Sequence, residues 1–276
     1  MSEQRFWDNR RGRIRSRAGG ARIGEGVVYA RGYSMLEELV GHVSFFQGLF
    51  LNVTGRLPER RLAEWVEATF LCMSWPDSRI WCNGVGAFGG TAQTSPVAAV
   101  AAGILASDAN LYGPKAIKMA AQCSREGLHL RKSGMPVAEV VAALNHWPDR
   151  PRPVVPGFSR PISVGDERVP VMERVSSKLG FEAGEHLRLA FEIHTHFHVH
   201  YEDSINLGGY MAAFLNDQGL TPEEVYRLYS MCVNSGVHAC YGEAFDNPPG
   251  AYLPLMCDDI EYIGTPLRSV PPISKT

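Results

Sequence analysis

The chain is poor in several features that would have settled its class at once. No apolar run approaches the roughly 20 residues that cross a bilayer, and no signal-peptide core is evident near its start. Its cysteines, Cys72, Cys82, Cys123, Cys232, Cys240 and Cys257, are scattered with no C-x-x-C pair. That spacing gives no basis for a zinc site built from thiolates, and reduced, mostly buried thiols in a cytoplasmic protein are expected. Charge of one sign is also scarce: 27 Lys and Arg against 29 Asp and Glu leave a net charge of -2. There is no pervasive basic field for nucleic acid. Strand signals are few and no internal repeat is present. Neither a membrane nor a nucleic acid is expected as a partner.

What is present is enough for a large globular fold. At 276 residues and 45% hydrophobic content, one large domain or one plus a smaller one is expected. Arg5, Arg10, Arg11, Arg13, Arg15, Arg17 and Arg22 crowd residues 1–24, which read as a flexible, solvated arm or one that reaches over a partner subunit. A transit peptide is the rival, but Glu3, Asp8 and Gly19-Gly20 interrupt it.

Helical punctuation dominates the rest. Ser34 and Glu37 form a predicted capping box, followed by Leu36, Val40, Val43, Phe46 and Phe50 at helical spacing. Pro58 opens a helix with Leu62, Trp65, Val66, Phe70 and Met73 inward, and Ser95-Pro96 starts an Ala-rich helix of the kind buried all round. Further helices are predicted over Lys115–Cys123, Pro136–Trp147 and Glu167–Leu179. Thr221-Pro222-Glu223-Glu224 repeats the capping box and opens a long helix toward Gly236. Trp75, Trp81 and Trp147 read as core or domain-interface aromatics. The segment Pro148–Pro153 reads as an extended linker.

The densest titratable cluster is His194-Thr195-His196-Phe197-His198-Val199-His200. Its alternation has the period of a strand, on which four imidazoles would share one face. On a helix, His194/His198 and His196/His200 would pair on two faces. Structural, catalytic and metal-binding roles all stay open at this point.

Several ordered segments resemble the citrate synthase superfamily, particularly its short bacterial citryl-CoA lyase-like branch. These are Arg31-Gly32-Tyr33 with Leu36-Glu37-Glu38-Leu39 and Thr54-Gly55-Arg56-Leu57-Pro58; Pro156-Gly157-Phe158-Ser159-Arg160-Pro161 with Asp166-Glu167-Arg168; Asn206-Leu207-Gly208-Gly209 with Asp217-Gln218-Gly219-Leu220; and Asp258–Gly264. The resemblance spans residues 25–276 and implies an all-α homodimer with a large and a small domain, the small one within about residues 100–210. It also implies a cleft that binds an acyl-CoA and a carboxylate-bearing substrate, with no tightly bound cofactor.

The departures bear on mechanism. Arg160 stands where the family has a histidine, and Gly208 stands where it has the aspartate that removes a proton alpha to the thioester. The helix start at Asn110–Lys115 lacks the histidine that citrate synthases proper carry there. Claisen chemistry still needs a base and a donor for the enolate oxygen. Asp203, His200 and His198 are the predicted catalytic replacements. Arg160, Arg168, Tyr112, Asn206 and Arg268 are the predicted substrate-binding groups, and no residue is assigned as a metal ligand. Arg160 cannot donate a proton at ordinary pH but can clamp an anion. His238 is read as structural first and substrate-binding second. The expected function is an enzyme that forms or cleaves a carbon-carbon bond next to an acyl thioester. The rivals are a catalytically lapsed subunit and a metal-dependent lyase or hydrolase built on the His194–His200 run.

Overall fold

The computed structural model describes residues 3–8, 10–12, 14–22, 24–147, 149–160 and 163–270. A short helix α1 (Glu3–Asp8) leads to an antiparallel sheet of β1 (Gly19–Arg22), β2 (Val27–Ala30) and β3 (Tyr33–Ser34), in that order. The end of the Arg-rich arm therefore belongs to this sheet, with Gly19 opposite Ala30 and Arg22 opposite Val27.

The regular structure that follows is helical. It comprises α2 (Phe45–Thr54), α3 (Arg60–Met73), α4 (Trp81–Thr91), α5 (Pro96–Ser107), α6 (Pro114–Lys132), α7 (Val137–Ala143), α8 (Arg168–Lys178), α9 (Glu185–Tyr201), α10 (Leu207–Asp217), α11 (Pro222–Leu228) and α12 (Asn234–Asp246). α10 is the central helix, buried from Gly209 through Asn216. Trp65 of α3 stacks on Phe214 of α10, with centroids 3.8 Å apart, and donates its indole N–H to Ser176 Oγ of α8 at 2.8 Å. A buried indole that finds a partner retains its hydrophobic gain without an orphaned donor.

Several local expectations change. Ser34 Oγ accepts from the Glu37 amide, but Glu38, not Glu37, returns the bond to the Ser34 amide. The helix it starts is a five-residue π-helical turn, Met35–Leu39, and Gly41 then takes the left-handed conformation (φ +82°). A second capping box, Ser44 with Gln47, starts α2. The helix opened at Thr221 stops at Leu228, and a turn precedes α12. Trp75 and Trp81 are exposed in the single chain, and α4 was not foreseen. α5 is not buried all round: Val97 and Leu105 are 78% and 77% exposed. All six cysteines are free, with Cys82, Cys123, Cys232 and Cys240 buried, Cys72 half-buried and Cys257 exposed.

The histidine run is a helix. Leu187, Ala190, Ile193 and Phe197 recur at spacings of three and four and are all buried, which fixes α9 against the core. Tyr201 ends it, and Glu202 takes the left-handed conformation (φ +52°).

Candidate active site

The site is built where the loop 156–168 crosses the N-terminus of α10. Gly157 and Gly209 touch backbone to backbone. A Cβ on Gly209 would overlap the Gly157 carbonyl, and one on Gly157 would stand 2.7 Å from Gly209 Cα. Gly157 also has φ +95°, a region costly for any other residue. The contact is zipped by Ser159 N–H to Ser204 O at 2.8 Å and Asn206 N–H to Gly157 O at 3.0 Å. A single bridge joins Phe158 to Ile205.

Asn206 caps α10: its Oδ1 accepts from the Gly209 amide at 3.0 Å, and its Nδ2 donates to Ser159 O at 2.8 Å. Its side chain thus serves the loop and the helix at once. Helix N-termini bear free N–H groups and positive potential. Here Asp166 is the anion that meets them. Its side chain is fully buried, and Oδ2 accepts from the Leu207 amide at 2.8 Å.

Both predicted arginines gather on Asp166. Arg168 grips it through two bonds of 2.8 Å, Nε to Oδ1 and Nη2 to Oδ2, and its Nη1 reaches the Cys72 carbonyl at 3.4 Å. Arg160 Nη1 lies 3.8 Å from Asp166 Oδ1 and 2.6 Å from Glu167 Oε2. Burial pushes the Asp166 carboxyl up, but the Arg168 fork and the Leu207 amide outweigh it and hold the group below the usual carboxylate range. Burial likewise opposes the charge on Arg168, and Asp166 more than restores it. Arg168 therefore pairs with Asp166.

Asp203 follows the end of α9 and is 4% exposed. Ser159 Oγ donates to its Oδ2 at 2.5 Å, Arg152 stands 3.1 Å from the same oxygen, and the Ser204 amide donates to Oδ1 at 2.9 Å. Ser159 is held at φ +73°, a conformation that non-glycine residues adopt at a cost. The loop thus joins Arg160, Asn206 and Asp203, with Arg168 beside them.

The other predicted residues fall differently. Tyr112 is held by its hydroxyl donating to Met73 O at 3.2 Å, and burial pushes its phenol up, so it stays neutral. His198 and His200 are exposed on the last turn of α9 and make no bond to the loop among the described residues. The histidine tied to this region is His194, whose Nδ1 accepts from the Ile205 amide at 3.2 Å. Burial, then the neighbouring His198, hold it below its usual range. Arg268 is exposed in the tail beyond α12, where it bonds no loop residue among those described, and His238 is exposed on α12. Ser159 and Arg152 were not foreseen as site residues, and His194 only as a member of the histidine run. Only the left-handed backbone and the folded proximity make them visible.

Gly208 sits in the first turn of α10. A Cβ there would meet Asn206 Oδ1 at 3.1 Å and Ile117 at 4.0 Å. Among the described residues no group of three His, Cys, Asp or Glu side chains converges to hold a metal, and no helix is long and apolar enough to cross a membrane.

With that geometry in view, the fold has clear counterparts. The structure of citryl-CoA lyase from Hydrogenobacter thermophilus superposes with a TM-score of 0.77 at 23% identity, covering 94% of this chain and 97% of that one. ATP citrate lyase from Methanothrix soehngenii, solved in complex with citrate and coenzyme A, gives 0.72 at 13% identity, covering 96% of this chain and 44% of that one. Citrate synthase from the thermophilic archaeon Thermoplasma acidophilum, in a ternary complex with carboxymethyl coenzyme A and oxaloacetate, gives 0.61 at 15% identity, over 83% of this chain and 59% of that one. No protein-family profile and no curated protein matches the sequence. The chain has the citrate synthase-type helical fold, close to that of citryl-CoA lyase.

Proposed function

We propose that the chain is an enzyme of the citrate synthase and citryl-CoA lyase type, forming or cleaving a carbon-carbon bond next to an acyl thioester. The observation that carries this reading is the loop–α10 junction. It gathers two arginines and a helix N-terminus on buried Asp166 and ties the same loop, through Ser159, to the buried carboxylate of Asp203, in a fold whose neighbours were solved with citrate, oxaloacetate and coenzyme A compounds. Arg160 and Arg168 bind the carboxylate groups of the substrate, and Asn206 and Tyr112 line the approach. CoA is a substrate in this reading, not a resident cofactor.

In the cleavage direction Asp203 accepts the proton of the substrate hydroxyl. The carbon-carbon bond breaks, its electron pair passes to the carbon alpha to the thioester as an enolate, and a carbonyl remains on the departing fragment. The enolate carbon then takes a proton from a histidine, His200 or His198. The reverse sequence is a synthesis. To act as base, Asp203 exchanges the half-exposed Arg152 for substrate, since that partner is the one of its three donors able to swing away.

The assembly in this reading is a homodimer. Val97, Ala101 and Leu105 form an exposed apolar stripe on α5, Phe88 is exposed on α4, and the tail carries Leu255, Ile260, Tyr262 and Ile263 in solvent. Exposed apolar patches of large area mark interaction surfaces. Arg268, on that tail, is proposed to serve the partner's site.

The test is turnover of a 3-hydroxy-3-carboxyacyl-CoA by wild type and by Asp203→Asn. Free thioester product from wild type, reduced at least a hundredfold in the variant, is expected. Unchanged turnover in the variant overturns Asp203 as base. A second reading rests on Gly208, which offers no base, and on arginines already paired within the chain: a lapsed enzyme that binds these ligands without turning them over. Binding without product by wild type would select it.

A further inference from the structure

We infer that His196 and His200 form an open bidentate site for a divalent late transition-metal ion, cupric first, on the outer face of α9. The site lies outside the loop–α10 junction and shares His200 with the proton transfer proposed above. The two imidazoles stand one turn apart, with ring centroids 4.5 Å apart and planes inclined by 47°.

That distance fits a shared ion. Two imidazoles on one ion at metal–nitrogen distances of about 2.0–2.1 Å place their centroids about 4.5 Å apart when the ligand angle is a right angle, and about 5.2 Å apart when it is tetrahedral. The His196/His200 pair already meets the first value. The other pair, His194/His198, is 6.1 Å apart, and His194 spends Nδ1 on the Ile205 amide. A right angle between nitrogen donors is the preference of Cu(II) and Ni(II), and the usual affinity order places copper highest.

The surroundings leave the pair available. His200 is exposed and His196 half-buried, and neither ring makes a hydrogen bond or salt bridge among the described residues. Burial, then the neighbouring His200, hold His196 below its usual range, which favours the neutral ring a metal needs. Tyr201 packs its edge near both rings, at 5.9 and 6.3 Å. One turn back on the same stripe, Glu192 is held by Arg131 at 3.1 Å, so the protein supplies two ligands and water the rest. Bound metal would clamp the last turn of α9, just before Glu202 and Asp203.

Calorimetric titration of the untagged, chelator-treated chain with CuCl2 tests this, with His196→Ala/His200→Ala and His194→Ala/His198→Ala as paired variants. One equivalent of Cu(II) is expected to bind wild type and the His194/His198 variant alike. Affinity should fall at least tenfold in the His196/His200 variant, and the copper electron paramagnetic resonance spectrum should show two-nitrogen coupling. Each variant changes one half-buried and one exposed position of α9, and circular dichroism checks that each keeps its helix. Equal affinity in wild type and the His196/His200 variant, or loss that follows His194/His198 instead, overturns the site. Neither result bears on thioester binding at the loop.

Discussion

The loop–α10 junction and the α4–α5 face treat their surfaces in opposite ways. At the junction, each charged group described above is met within the chain: Asp166 by Arg168 and the Leu207 amide, Arg160 by Glu167, Asp203 by Ser159, Arg152 and the Ser204 amide. On α5, Val97 and Leu105 face solvent with nothing over them, and the apolar tail beyond α12 does the same. The first region pairs its charges within one chain. The second leaves apolar side chains in solvent. The difference separates a polar junction that satisfies itself inside the chain from an apolar face whose contacts are unused.

The strongest way to break the junction is to remove its central anion. Asp166→Ala leaves Arg168 and the first amide of α10 without their partner, and a loss of about 3–5 kcal/mol in urea unfolding is expected. Loss below 1 kcal/mol would mean that Asp166 does not organise the loop. The same group sets a pH dependence. Its folded-state carboxyl lies below its unfolded value, so its contribution is full above an unfolded value of about 3.9 and is lost as pH falls through the lower folded value. Wild type should therefore lose stability below about pH 4 more steeply than Asp166→Asn.

A smaller effect is expected where backbone meets backbone. Gly209→Ala drives a methyl into the Gly157 carbonyl, and overpacking of this kind costs about 1–3 kcal/mol. Because the loop carries Arg160, ligand binding should weaken with it. An alanine variant as stable as wild type would show that the loop slides freely on α10. On the opposite face, Leu105→Glu should leave the fold intact, since the side chain is in solvent, yet shift sedimentation from dimer to monomer. A variant that sediments as wild type does would show that α5 is not the covered face. The smallest change is Ser159→Gly. It relieves the left-handed backbone and loses the bond to Asp203, and the two are each worth about 1 kcal/mol, so net stability should hardly move. A loss above about 2 kcal/mol would show that the hydroxyl holds the loop together.

Much of this architecture was legible because it is written locally. Ser95-Pro96 and the Thr221–Glu224 capping box start helices where the spacing said they would. The motif segments also come together in the fold: Arg160 and Arg168 share Asp166, and Asn206 holds the loop through Ser159. What failed depended on tertiary contact. Ser34 begins only one turn because Gly41 turns the chain and Ser44 offers a second cap. The histidines alternate with the period of a strand, yet Leu187, Ala190, Ile193 and Phe197 carry the helical period, and burial of those four decides the matter. Reading α5 as buried all round followed from its composition alone, and the exposure of Val97 and Leu105 overturns it for the single chain. Ser159 as a partner of Asp203 could not be read at all, since 44 residues separate them and only the loop's return to Ser204 brings them together.

Gly208 offers a way to separate a replaced mechanism from a lapsed one. A side chain there is crowded only by Asn206 Oδ1, so Gly208→Asp should fold and place a carboxylate beside the cap. If a histidine has taken over exchange of the proton alpha to the thioester, His198→Ala/His200→Ala/Gly208→Asp should regain turnover relative to His198→Ala/His200→Ala alone.

The most direct measurement is calorimetric titration of wild type and Arg168→Gln with acetyl-CoA and with citrate. The account predicts that wild type binds both, and that the variant loses citrate at least tenfold while it keeps the thioester. If wild type binds neither ligand, the junction is not a thioester and carboxylate site, and the citrate synthase-type fold serves another chemistry here.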